Sequence, residues 1–158
     1  MKFIYIIPLL FLIPFPAFGD EGEDAVKALG WAAIGIGFLA NVPFIIYNRV
    51  RKLPVKMIGT NIARELALLY KPVLNAHIAL NIIGYIAGAV HGVLLVEYLE
   101  PISLSLAIVM SVLVISGLLL RYTSSRNLKV FNRLMHGQAF LALLLIILIG
   151  LHIATAED

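Results

Sequence analysis

The chain has 158 residues, of which 61% are hydrophobic and only 13% are charged, and its mean hydropathy is +1.00. Soluble domains average roughly 45–50% apolar and about 25% charged residues, so this composition excludes an ordinary soluble domain. The sequence contains no cysteine, which excludes disulfides, cysteine-ligated zinc, iron–sulfur clusters and covalently attached c-type haem.

Residues 1–19 have the pattern of a cleavable N-terminal signal peptide. Lys2 gives a positive start, residues 3–16 are apolar, and Ala17, Phe18 and Gly19 form a small-x-small cleavage site. The alternative is a first membrane helix, which the shortness of the run and its three prolines disfavour. Cleavage would leave a mature chain of residues 20–158.

Four longer apolar segments follow, at about residues 25–47, 72–99, 102–120 and 131–156. Each approaches or exceeds the roughly 20 residues that cross a hydrocarbon core, and only helices or closed barrels can cross lipid. The segments lack the alternation of barrel strands, so the sequence predicts an all-α membrane protein with a four-helix transmembrane bundle. Residues 57–71 either form an amphipathic helix on the inner membrane surface or extend the second span.

Lysine and arginine are concentrated in two loops. Ten of them lie between the first and second spans or between the third and fourth, whereas Lys27 is the one cation on the opposite side, with eight acids. The positive-inside rule therefore predicts a multi-pass protein of the cytoplasmic (cell) membrane, with basic loops in the cytoplasm and both mature termini outside. Topology accounts for the basic residues, so nucleic-acid binding has no support and membrane lipid is the expected surrounding.

All four histidines lie in the second and fourth spans. His77 and His91 are 14 residues apart, which corresponds to about 21 Å along a helix. Around the helix axis they lie within about 40° of each other, so they share one face. The second and fourth spans run in the same direction, so His77 and His136 form an inner pair and His91 and His152 an outer pair. Ionisable groups inside a membrane indicate a functional site by default, although a single histidine often bonds only to a neighbouring helix.

Paired imidazoles in apolar surroundings suit haem iron. Imidazole also binds zinc and copper, but these ions recruit further polar ligands, and no Asp or Glu lies deep in a span. Haem needs two axial ligands and an apolar pocket. Met135, beside His136, is a rival inner ligand. Gly84, midway between the first two histidines, would let the macrocycle approach the helix; helix packing is the alternative explanation.

This pattern resembles membrane di-haem cytochromes b: the cytochrome b subunit of quinol–cytochrome c reductases and ferric-reductase-like transmembrane cytochromes. The residues that carry the resemblance are His77, Gly84, His91, His136 and His152. The resemblance implies two non-covalent haem b groups, with inner iron on His77 and His136 and outer iron on His91 and His152. It also implies electron transfer across the membrane. The quinol-site motif of the large reductases is missing from the sequence, so quinone is kept only as a candidate ligand.

The spacing of the second histidine pair departs from that pattern. On a straight helix, 16 residues turn His136 and His152 about 160° apart, and a one-residue π-bulge between Gly137 and Gly150 would reduce this to about 60°. Haem propionates also need hydrogen-bond donors. The inner candidates are Lys71, Arg121 and Arg133, and the outer candidates are Lys27, Trp31, Tyr98 and Ser103.

The leading functional hypothesis is transmembrane electron transfer through two bis-histidine haems. They would divide the insulating path of about 30 Å into shorter steps, linking a quinol or inner-side donor with an external cytochrome or reductase. The chain is then an electron-transfer subunit of an oxidoreductase chain rather than an enzyme alone. Two alternatives stay open: a ferric reductase acting at the outer haem, and a non-haem transporter or anchor whose histidines bind a metal ion or protons.

Overall fold

A computed structural model describes residues 22–98, 100–137 and 139–156. All regular elements in these ranges are helices, which confirms the predicted all-α class. In chain order they are α1 (Gly22–Val50), α2 (Val55–Ile58), α3 (Thr60–Leu94), a short 3-10 helix (Val96–Tyr98), α4 (Pro101–Tyr122), α5 (Arg126–His136) and α6 (Ala139–Ala156). The predicted signal peptide lies outside the described residues.

Three of the helices, α1, α3 and α4, are long and apolar enough to cross a membrane. The pair α5 and α6 is a fourth candidate if the two, bent by 44° at their junction, count as one span. Many of the exposed side chains along these helices are large and apolar, such as Ile83 and Ile86 on α3 and Ile146 on α6. Apolar exposure on this scale fits a lipid surrounding, since soluble proteins rarely display such surfaces. These features indicate a multi-pass membrane protein.

The helix α3 begins at Thr60, 12 residues before the predicted second span, and it passes through Pro72 without ending. Residues 60–71 therefore extend the second span, which was one of the two predicted possibilities. Proline removes a backbone hydrogen bond, but contacts with α1 continue on its N-terminal side. There the Tyr47 hydroxyl donates to the carbonyl of Leu66, and the Arg51 guanidinium lies 4.4 Å from the centre of the Tyr70 ring.

The predicted fourth span is broken near its inner end. The helix α5 ends at His136, and α6, which is regular α-helix in the described residues, contains no π-bulge. Gly137 closes α5 by donating its N–H to the carbonyl of Arg133 at 3.0 Å. A Cβ on Gly137 would stand 2.7 Å from that same oxygen, so this tight turn needs glycine. In place of the π-bulge considered in the sequence analysis, the two helices are bent by 44° at their junction after α5.

The helices pack as two antiparallel hairpins. One hairpin is α1 with α3, and the other is α4 with α5 and α6; α3 and α4 join them. Small residues allow α1 to approach α3 closely, and in the part of the chain that the structure describes the buried apolar residues are Ala28 and Ala40 of α1. Across the α3–α4 contact, Tyr85 and Ser111 hydroxyls lie 2.9 Å apart. This arrangement leaves α3 facing α5 and α6 through side chains rather than through close backbone packing.

Candidate functional site

The four histidines lie in two pairs that bridge the two hairpins. The ring centres of His77 and His136 are 6.3 Å apart, and those of His91 and His152 are 6.1 Å apart. Within each pair the ring planes are nearly perpendicular, at 74° and 84°. These are the same combinations as the inner and outer pairs of the sequence analysis, and α3 contributes one ring to each.

The separation of the rings fits a single metal ion held between two imidazoles. A metal–imidazole nitrogen bond is about 2.0 Å long, and a ring nitrogen lies about 1.1 Å from the ring centre, so two such ligands on opposite sides of one ion have centres about 6 Å apart. Edge-to-face contact between two rings has centres about 4.5–7 Å apart, and both pairs have this geometry. The same spacing would accommodate one ion held by both imidazoles.

The outer histidine of α3 is held by α1. The ring nitrogen Nδ1 of His91 lies 2.8 Å from the carbonyl oxygen of Val26. Because a carbonyl oxygen can only accept a hydrogen bond, Nδ1 is the donor. One turn further along α1, a Cβ on Gly30 would stand 3.0 Å from Cε1 of the same ring. Glycine at position 30 thus makes room for the imidazole beside the helix backbone.

The inner histidine of α5 is held by α4 in the same way. Nδ1 of His136 donates to the carbonyl of Leu113 at 2.9 Å, and Gly117 lies one turn further along α4. A Cβ on Gly117 would stand 2.8 Å from Cε1 of the ring and 3.1 Å from Nδ1. In each hairpin, therefore, one imidazole donates to a backbone carbonyl of the neighbouring helix. The residue four positions after that carbonyl is a glycine that leaves space for the ring.

His77 is the most enclosed of the four, with 9% of its surface exposed. Its Nδ1 lies 3.1 Å from the carbonyl of Ala40 and 3.2 Å from the amide nitrogen of Asn81. That amide already donates to the backbone carbonyl of His77 at 2.7 Å, so the arrangement is best satisfied when Nδ1 donates to Ala40. Asn41 donates to the Asn81 side-chain oxygen at 3.0 Å. These hydrogen bonds hold the His77 ring, which belongs to α3, against α1.

The positions of these carbonyls on α1 match the positions of the histidines on α3. Val26 and Ala40 are 14 residues apart, as are His77 and His91. In an antiparallel helix pair, equal spacings bring both histidines to equivalent acceptors on the neighbouring helix. One helix pair therefore anchors an imidazole at each of two levels along its length, about 21 Å apart.

His152 differs from the other three because a side chain holds it. Its Nδ1 lies 3.0 Å from the hydroxyl of Ser103, near the start of α4. Ser103 was predicted as a donor to a haem propionate, and the structure places its hydroxyl against the ring. A serine hydroxyl can either donate or accept, so this contact is compatible with both tautomers of His152.

The hydrogen bonds determine which ring nitrogen is available as a ligand. In neutral imidazole one nitrogen carries the hydrogen and the other carries the lone pair. Donation from Nδ1 to carbonyls leaves Nε2 as the ligand nitrogen in three of the histidines, and metal-binding histidines are commonly oriented in this way. The bonds also satisfy a polar atom that would otherwise cost about 1–3 kcal/mol to bury.

Gly84 lies on the side of α3 that packs against α1. A Cβ there would meet the Ile36 side chain at 3.3 Å, the Ala33 carbonyl at 3.4 Å and the Gly37 nitrogen at 3.6 Å. These contacts are those of helix packing, which was the alternative explanation for this glycine. The glycines in contact with imidazole rings, Gly30 and Gly117, were missed because their relation to the histidines crosses between helices.

The predicted inner propionate donors lie on three helices. Lys71 and Arg133 are exposed, six and three residues before His77 and His136 respectively, and Arg121 donates to the Asn75 side chain at 3.3 Å. Among the outer candidates, Trp31 is exposed, and the side chain of Tyr98 lies outside the described residues.

Other polar residues in the spans form hydrogen bonds between helices: Asn41 with Asn81, Ser111 with Tyr85 and Asn75 with Arg121. The Ser116 hydroxyl donates to the carbonyl of Leu113 in its own helix.

Within residues 22–98, 100–137 and 139–156, no group of three or more His, Cys, Asp or Glu side chains is gathered in a metal-binding arrangement. Each histidine pair thus offers two protein ligands, whereas zinc sites use three or four. Comparison of the chain with protein families, curated proteins and solved structures gave no match.

Proposed function

We propose that this chain is a small di-haem b-type cytochrome that conducts electrons across the cytoplasmic membrane. The observation that carries the proposal is the spacing of the two imidazole pairs, 6.3 Å for His77 and His136 and 6.1 Å for His91 and His152. Two ligands per site and an apolar surrounding suit a porphyrin, which brings the remaining four ligands itself.

The chain's own residues would prepare each site for such a group. His77 and His136 would hold the inner iron, and His91 and His152 the outer iron, through Nε2 where Nδ1 is engaged. The carbonyls of Ala40, Val26 and Leu113 would keep the rings in one tautomer and strengthen them as ligands. When bound, two haem b groups would supply reversible one-electron oxidation and reduction at two depths.

The arrangement in the membrane is part of the same proposal. The four spans are α1, α3, α4 and the α5–α6 pair, in a bundle that follows a cleaved signal peptide. The ten cations of the two basic loops favour the cytoplasmic side for the end of the bundle where α4 meets α5. Lys71 and Arg133, at this end, would neutralise the inner propionates, and both mature termini would face outside.

The proposed partners follow from the two depths. The inner site would exchange electrons with a quinol or a cytoplasmic-side donor, and the outer site with an external cytochrome or reductase. The chain between the spans is short on the outer side, where α4 begins at Pro101 shortly after the 3-10 helix ends at Tyr98. The membrane domain would therefore work as the electron-transfer part of a larger redox chain.

Haem content and single histidine substitutions test this function. The purified chain, expressed with ample haem and reduced with dithionite, should show a b-type spectrum and about two haems per chain. His91→Ala should remove the outer haem and His77→Ala the inner one, while Met135→Leu, the matched control for the rival ligand, should keep both. A colourless protein under these conditions rules out the proposal and favours the non-haem alternative.

A further inference from the structure

The helix α3 is much longer than a membrane requires. Its 35 residues correspond to about 52 Å, whereas the 22 residues of α4 correspond to about 33 Å. A hydrocarbon core is about 30 Å thick, so α4 spans it with little excess. About 20 Å of α3 must then lie beyond the level of α4 at one end or the other.

Contacts between the two helices show which end protrudes. Tyr85 meets Ser111, and ten residues away in each helix Asn75 meets Arg121. The antiparallel register is therefore constant, and α4, which ends at Tyr122, stops level with about residue 74 of α3. The excess of about 14 residues lies at the N-terminal end of α3, on the side with the basic loops.

The end of α1 protrudes together with α3. Ala40 of α1 lies beside His77 of α3, so residues after about 42 of α1 pass the same level. We call residues 43–72 the protruding hairpin; it comprises the end of α1, the helix α2 and the start of α3. It is a structured unit, since the Tyr47 hydroxyl donates to the carbonyl of Leu66 and Arg51 lies over the Tyr70 ring.

The surface of the protruding hairpin combines positive charge with exposed apolar side chains. The hairpin contains six cations, all exposed, and one acid, Glu65. The cations are Arg49, Arg51, Lys52, Lys56, Arg64 and Lys71. The large side chains exposed among them are Ile45, Ile46, Leu53, Val55, Met57, Ile62, Leu68 and Tyr70. Apolar exposure outside lipid, surrounded by charge of one sign, is typical of a protein-binding surface.

We propose that the protruding hairpin is a docking surface for a soluble cytoplasmic protein with an acidic rim around an apolar centre. The positive charge of the hairpin, six cations against one acid, favours an acidic partner. Anionic lipid headgroups are the competing occupant, but their field decays over about 8 Å at physiological salt, and the hairpin extends about 20 Å beyond the end of α4. The proposal uses the membrane placement of the helices and does not depend on the haems.

The hairpin also stands next to the inner histidine pair. His77 is five residues from Pro72 at its base, and Phe44, the second residue of the hairpin, stacks on the His77 ring at 4.1 Å and 20°. A partner docked there would be nearer to the inner pair than to the outer pair. That the partner is an acidic electron carrier rests on the proposed function, whereas docking itself can be measured without electron transfer.

Single cysteines test whether the hairpin leaves the membrane. The chain has no cysteine, so Met57→Cys and Ile62→Cys give unambiguous labelling by a membrane-impermeant maleimide. Ile83→Cys and Ile86→Cys are matched controls, because these side chains of α3 are exposed to a similar degree but lie within the span. In neutral-lipid nanodiscs the hairpin positions should label at least about tenfold faster; equal protection at positions 57, 62 and 83 overturns the proposal.

Binding of an acidic probe tests the docking surface. The full chain in neutral-lipid nanodiscs is titrated with plant-type ferredoxin, and with basic cytochrome c as the opposite-charge control. Ferredoxin should bind at about 0.05 M salt and weaken at least about tenfold at about 0.5 M. The variant Lys52→Glu/Lys56→Glu/Arg64→Glu should weaken binding roughly tenfold, while Arg126→Glu/Lys129→Glu on α5 should change it less than about threefold.

Each other result of this titration overturns the proposal. Failure of ferredoxin to bind, or equal weakening by both variants, removes the docking surface. If anionic lipid in the nanodiscs, rather than an acidic protein, protects positions 57 and 62 from maleimide labelling, the surface binds lipid and the docking proposal fails. If ferredoxin docks as described but the chain contains no haem, docking stands and the proposed electron-transfer function fails.

Discussion

A Cβ placed on Gly117 would stand 2.8 Å from Cε1 of His136. The glycine thus lies directly against the ring of a histidine on another helix, and the carbonyl of Leu113, one turn earlier, accepts the Nδ1 hydrogen of the same ring. The same relation joins Gly30 and Val26 to His91 at the other end of the bundle. These glycines therefore provide the space that the His91 and His136 rings occupy beside the neighbouring helix.

Gly117→Ala should displace the His136 ring and affect the inner site selectively. A contact of 2.8 Å forces the ring to shift, and such overpacking typically costs about 1–3 kcal/mol. We expect partial loss or a spectral change of the inner haem, while the outer haem is retained. Redox titration followed by optical absorption would separate the two components.

The matched control for this substitution is Gly150→Ala in α6. A Cβ there meets nothing within 4 Å, so the variant should keep both haems, and alanine should change the free energy of unfolding by no more than about 1 kcal/mol in the stabilising direction. Equal effects of the two substitutions would contradict the role assigned to Gly117.

Gly30→Ala should affect the outer site selectively. Its Cβ would meet three atoms of the His91 ring at 3.0–3.2 Å, which requires a smaller movement than at Gly117. We expect a changed midpoint potential of the outer haem with its stoichiometry largely retained. Gly35→Ala, on the same helix with open space around it, should leave both potentials unchanged; a shift of the inner potential by Gly30→Ala would speak against this assignment.

Ser103→Ala should alter the electronic properties of the outer site without removing it. The hydroxyl lies 3.0 Å from Nδ1 of His152, and if it accepts the ring hydrogen it makes the imidazole a stronger donor to iron. Loss of a bond of about 1 kcal/mol would raise the outer midpoint potential by up to about 40 mV for one electron.

Two further serine variants complete this test. Ser105→Ala, which removes a hydroxyl that donates to the carbonyl of Pro101 in its own helix, should leave the potential unchanged. Ser103→Thr, which keeps the hydroxyl, should restore the original value. A rise in potential that persists in Ser103→Thr would show that packing rather than the hydrogen bond is responsible.

Hydropathy and spacing were sufficient to locate the helices but not their ends. The apolar runs predicted the ends of α1 and α4 to within a few residues, because any continuous apolar segment of sufficient length is stable in lipid as a helix. They left open whether residues 57–71 extend the second span, because the start of α3 at Thr60 is stabilised by contacts with α1 through Tyr47 and Arg51. They also described the fourth span as one continuous helix with a possible π-bulge, whereas the turn at Gly137 ends α5.

The membrane class, the helical content and the pairing of the histidines could be predicted from the amino-acid sequence. These follow from composition and from the fixed rise of a helix, which are properties of one segment at a time. The way in which each ring is held depends on contacts between helices: the carbonyls of Val26, Ala40 and Leu113, the Ser103 hydroxyl, and the space at Gly30 and Gly117. A backbone carbonyl or a missing side chain carries no signal in the sequence, and it acquires a role only when another helix brings a ring against it.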